Sequence, residues 1–139
     1  MSLTQTLLKE LTHQRLQEAQ ILFKEQQYSG SYYLAGYVIE FSLKAIIAKS
    51  FAPNTIPDKK LVEKIYNHTF SSLIGLAGLE PQFDRRKEAH TPFAKNWLTV
   101  SQWNTESRYT KKTEGEAQAI LEAIENETDG VLPWIKSHW

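Results

Sequence analysis

The sequence predicts an all-α fold, an up-and-down bundle of four to five helices. Two observations carry this. Apolar residues recur at three- and four-residue steps over long stretches, and no stretch shows period-two alternation bounded by turns. The length of 139 residues suits one domain, 1–139, large enough for a core of its own.

Residues 3–27 read as the first helix. Leu7, Leu8, Leu11, Ala19, Leu22 and Phe23 form its apolar stripe, and Lys9, Glu10, Gln14, Gln17 and Lys24 its polar face. The connection 26–30 is short, so the next helix is expected to return antiparallel. That second helix, YSGSYYLAGYVIEFSLKAIIAK over 28–49, organises the chain. Ser29 or Ser31 is expected to cap it. Its apolar stripe is wide enough for burial on most sides. Ala35 and Gly36 would let a neighbour come close. Glu40 and Lys44 alone interrupt the run, one turn apart and in the favourable order for an ion pair.

Two prolines and Asn54 mark 51–58 as a loop, with Asp58 set to cap a short helix over 59–66. Leu73, Leu76 and Ala77 share a face of the following segment, which Gly78 should end. Residues 82–101 read as a further helix with Phe83, Phe93, Trp97 and Val100 inward. Pro92 removes a donor and clashes one turn back, so a break is expected between Glu88 and Thr91. Residues 103–112 read as an ordered polar turn. The last long helix starts near Thr113, whose spacing to Glu116 fits a capping box. Asp129-Gly130 and Pro133 should bend it. Trp97 and Trp134 are expected in the core, with Trp103 and Trp139 at a rim or interface.

Sixteen basic and sixteen acidic residues give no net charge, so nucleic-acid binding would need a local patch. With no cysteine, disulfides and thiolate metal sites are excluded, and a reducing cytoplasmic location is expected. Lys9 and Glu10 break any leader-like run, and no stretch is apolar enough to span a membrane. Glycine-rich phosphate loops, nucleophile elbows and metal-binding His spacings are missing, so neither metal nor cofactor is expected.

The 28–49 run resembles the second helix of HEPN domains (higher eukaryotes and prokaryotes nucleotide-binding). Gly36, Tyr37, Ile39, Glu40, Leu43 and Lys44 carry the likeness. His68, Phe70 and Leu73 are similar to the family's H-x-L-x-x-L segment, and Trp103 with Arg108-Tyr109 to its W-x-x-x-x-R-Y. The resemblance implies a HEPN-like bundle, commonly a homodimer, with an RNA- or nucleotide-directed role. Many such domains are metal-independent ribonucleases of toxin-antitoxin or defence type. The alternative is a non-catalytic interaction module, for instance a partner of a nucleotidyltransferase-like protein.

The family's catalytic motif is an Arg, four to six residues, then a His. Arg85 and His90 match it. In this chemistry the His shuttles a proton at the ribose hydroxyl or leaving oxygen, and the Arg clamps the phosphate. Arg85, Arg86 and Lys87 form the strongest basic cluster, which otherwise reads first as a solvated helix start and then as a binding patch. His68 stands at a helix start, either holding the backbone or facing an anion. Arg108, Tyr109, Lys111 and Lys112 combine charge with an aromatic suited to base stacking. Otherwise Tyr109 packs on the bundle and Arg108 pairs with Glu106 or Glu40.

Overall fold

The computed structural model describes residues 2–139, whose regular structure is all helical, with no strand among them. In chain order the helices are α1 (Gln5–Lys24), α2 (Tyr28–Lys49), α3 (Lys59–Ile65), α4 (Phe70–Leu76), α5 (Glu80–Ala89), α6 (Thr91–Ser101), α7 (Glu114–Glu125) and α8 (Val131–Lys136). A 3-10 turn over Thr105–Tyr109 joins α6 to α7.

Thr4 starts α1, its side chain accepting from the Leu7 amide. Gln26 takes a left-handed conformation, φ 63°, and reverses the chain into α2. The two helices pack closely. The Ser31 hydroxyl donates to the Ala19 carbonyl at 2.7 Å, and both residues are fully buried. Ser31 is therefore inside α2 and joins it to α1 rather than capping it. Ser29 is no cap either: its hydroxyl accepts from the Lys112 amide at 2.9 Å. Gln27 holds the cap position without a side-chain bond.

α2 is the axis of the bundle. It touches α1, α4, α7, α8 and the 3-10 turn. Val38, Ile39, Leu43 and Ile47 are buried on it, as the wide apolar stripe requires. Around them Phe93 of α6, Ile120 and Ile124 of α7 and Ile135 of α8 complete one continuous core.

Asp58 caps α3 through the Leu61 amide at 3.1 Å. α4 ends at Gly78, whose φ of 72° suits glycine. The Leu79 amide then reaches back to the Ile74 carbonyl and the Gly78 amide to Gly75, a Schellman closure. α4 buries Phe70, Leu73 and Ile74, while Leu76 and Ala77 are only half-buried.

The expected break falls at His90 (φ −133°, ψ 94°), where Pro92 starts α6 as one of its first residues. Pro81 does the same for α5. Thr113 and Glu116 form the expected capping box of α7. The bend near Gly130 is a full stop between α7 and α8.

Trp97 is buried, and Trp134 is half-buried against Phe83 and Phe93. Trp103 departs from expectation: it is buried, not at a rim, stacked on Phe70 with its indole N–H donating to the Tyr33 carbonyl. A buried indole needs such an acceptor. Trp139 folds back over the first helix pair, donating to the Ser42 carbonyl at 3.1 Å.

Candidate functional site

Glu40 lies in the middle of α2, and its side chain is 3% exposed. A carboxylate there must have partners, because leaving it unpaired in the core is costly. It has two. Oε2 accepts from Lys44 Nζ at 3.1 Å, the expected pair one turn along the helix. Oε1 lies 2.6 Å from Nδ1 of His68, in the link between α3 and α4.

The His68 side chain is 51% exposed, so a buried carboxylate orients a ring that reaches solvent. With Nδ1 committed to Glu40, Nε2 is the nitrogen left for outside partners. Thr69 to Asn104 frame a cleft of about 250 Å³ beside this ring, with Phe70 and Trp103 in its wall and Ser71 and Ser101 at its edge.

Aromatic side chains hold the arrangement. Tyr37, one turn before Glu40, meets His68 edge-on at 6.2 Å and Trp103 at 5.2 Å. The Tyr37 and Tyr33 hydroxyls are 3.0 Å apart. Burial above all, then the Tyr33 hydroxyl and the Glu40 carboxylate, push the Tyr37 pKa up, while Arg108 pulls it the other way. Tyr37 thus stays a protonated donor at neutral pH. The already high pKa of Arg108, on the 3-10 turn, is raised further, first by Tyr109 and then by Tyr33. Its guanidinium lies 4.7 Å from the Tyr109 ring centre, and Tyr109 is 72% exposed.

The structure therefore gathers Glu40, His68, Tyr33, Tyr37 and Arg108 from α2, the α3–α4 link and the 3-10 turn. Two expectations, one for Arg108 and one for Tyr109, are corrected. It forms an ion pair with neither Glu106 nor Glu40, because Lys44 and His68 occupy the Glu40 oxygens. Tyr109 extends into solvent rather than packing on the bundle.

The other candidates lie elsewhere. Arg85 is on the exposed side of α5. Arg86, its neighbour, turns to the α7–α8 loop, donating to the Thr128 carbonyl at 2.8 Å and reaching Asp129 Oδ1 at 3.5 Å. His90 Nδ1 is 3.9 Å from the same oxygen. Asp129 thus brings Arg86 and His90 together, and Arg85, about 100° round the helix from Arg86, is not part of that group. Lys87 pairs with Asp84 within α5 and covers the Phe83 ring. Lys112 reaches Glu116 and the Tyr32 ring, and with exposed Lys111 it lines a concavity at the α1–α2 turn.

No group of three or more His, Cys, Asp or Glu among the described residues is placed to hold a metal ion. No helix among them is long and apolar enough to cross a membrane. Comparison with protein-family models, curated proteins and solved structures finds no match to this chain.

Proposed function

We propose that this chain is a HEPN-like domain with an RNA-directed role, acting as a metal-independent ribonuclease through His68 rather than His90. One observation carries the reading: a solvent-reaching imidazole held at 2.6 Å by a buried carboxylate, beside a cleft. That is the arrangement of an oriented general base. His68 Nε2 takes the proton of a ribose 2′-hydroxyl. The 2′ oxygen bonds to phosphorus as the bond to the 5′ oxygen breaks, and the departing oxygen takes a proton from solvent. A 2′,3′-cyclic phosphate and a 5′-hydroxyl result. Arg108, exposed and charged, offers its fork to the phosphate oxygens. Tyr109 gives a base a face to stack on.

The second reading is a non-catalytic interaction module, such as a homodimer or a partner of a nucleotidyltransferase-like protein. It is favoured by the fact that His68 also satisfies the second oxygen of a buried carboxylate, a purely structural use.

Cleavage of a short RNA in chelator separates the two. The reading expects cleavage by the native protein, at least a hundredfold loss in His68→Ala and Arg108→Ala, and retention in Arg85→Ala and His90→Ala. Loss in the latter pair would return the site to Arg85 and His90. An inactive native protein leaves the interaction module.

A further inference from the structure

Lys44, the other partner of Glu40, also lines a separate cavity of about 330 Å³ between α1, the end of α2 and α3. Leu8, Ile47, Phe51, Val62 and Ile65 give it an apolar side, and Ser2, Thr4 and Gln5 add a polar one around the start of α1. Lys44 is the only charged side chain lining it among the described residues, and it is 8% exposed. An ammonium has three donors. Lys44 uses one, to Glu40 Oε2. Its nearest aromatic neighbour is Tyr66 on the cavity wall, whose ring centre is 6.0 Å away. Glu40 Oε1 is turned to His68, so one carboxylate oxygen serves the ammonium. The α3 wall contributes no buried residue and contacts the rest of the bundle sparsely, so the cavity is closed on that side by a short helix that can give way.

We propose that this cavity binds a small apolar monocarboxylate, its carboxylate on Lys44 and its tail among Leu8, Ile47, Phe51, Val62 and Ile65. An apolar side with one buried cation at its end selects a ligand with an anionic head and an apolar tail. A carboxylate supplies charged acceptors for the spare N–H groups. A phosphate would bring more charge than one shared cation balances, and an alcohol brings no charge. The site shares Glu40 with His68 but does not depend on the ribonuclease reading.

Titration of the full chain with hexanoate, hexan-1-ol and acetate, followed by calorimetry and amide NMR, tests it. Hexanoate should bind at least tenfold more tightly than either comparator, with amide shifts centred on residues 44–51 and 62–66. Lys44→Met should remove the preference for the acid over the alcohol. Because that change also disturbs Glu40, Ala48→Phe provides a second variant: the larger ring fills the cavity from a lining position and leaves the charges in place. Hexanoate binding should disappear in it. Equal binding of hexanoate and hexan-1-ol, no binding of hexanoate, or hexanoate binding undiminished in Ala48→Phe would overturn the proposal.

Discussion

Gly36 and Trp103 claim the same space: a Cβ added to Gly36 would lie 1.9 Å from Cε2 of the buried indole. Helix propensity and packing therefore pull in opposite directions at position 36. Alanine in a helix interior is about 1 kcal/mol better than glycine. Forcing a methyl into a filled core costs about 1–3 kcal/mol and occasionally more. Trp103 cannot yield cheaply, being stacked on Phe70 and hydrogen-bonded to Tyr33. Gly36→Ala should therefore destabilise by about 2 kcal/mol, measured by urea unfolding, with a shift in tryptophan emission. A stabilised variant would show that the close approach is not maintained.

Glu40 and Lys44 make a second test, of charge in the core. Removing one member of a buried pair strands the other, at about 3–5 kcal/mol. Glu40→Leu should lose that much in equilibrium unfolding. The double change Glu40→Leu with Lys44→Met removes both charges and should recover most of the loss. A double variant as unstable as the single one would mean that packing, not charge, sets the cost.

Acidification should lower stability through His13 and His138. Burial first, then Lys136, depresses the His13 pKa; burial first, then Lys49, depresses that of His138. A histidine with its folded pKa below the usual 6.5 binds protons more readily unfolded. Stability is then fully present above 6.5 and falls as pH drops through that value toward the folded pKa. His13 is the more open to solvent, and screening reduces its share. The melting temperature should decline between pH 7.5 and 5.5, and less steeply in the double variant His13→Gln, His138→Gln. Identical slopes would assign the decline to other groups.

The α7 capping box gives a local test. The Thr113 side chain accepts from the Glu116 amide at 3.1 Å, and Glu116 accepts from the Thr113 amide at 3.2 Å. The Thr113 backbone N–H first, then the Thr113 hydroxyl and Lys112, hold the Glu116 pKa down. Thr113→Ala should cost about 1 kcal/mol in denaturant unfolding, and Thr113→Ser almost nothing.

Local features of this fold were readable in the sequence because they are written at short range. The Asp58 cap, the Gly78 closure, the Pro92 break and the Thr113–Glu116 box each depend on residues within one turn of each other. The Glu40–Lys44 pair was visible for the same reason. Partners set by packing were not. Glu40 announced that it needed company, but spacing along the chain cannot say that His68, 28 positions away, would provide it. Trp103 looked like a rim residue because its neighbours are polar. What buries it is the notch at Gly36 and the ring of Phe70. Ser29 and Ser31 looked like caps by type and place, yet the chain had already turned at Gln26 and helix formation began before them. Arg85 matched a spacing motif, whereas the structure turns Arg86 toward His90, since a one-residue step rotates a side chain about 100°.

The central place of α2 has a consequence for how the chain is made. A ribosome releases α1 and α2 together, and the Ser31 to Ala19 bond can seal that pair at once. The remaining side of α2, with Ile39 and Leu43, finds its covers in α7 and α8, which emerge only after everything between Lys49 and Glu114 has been translated. At about 5–20 residues per second that interval lasts seconds, far longer than local helix formation. Through it the nascent chain carries a sticky, half-dressed helix. The contacts of Trp139 on Ser42 and of His138 under Lys49 form later still. A chain stalled before α7 and α8 would hold that side of α2 uncovered, which makes synthesis itself the stage at which this bundle is most exposed to aggregation and to chaperone capture.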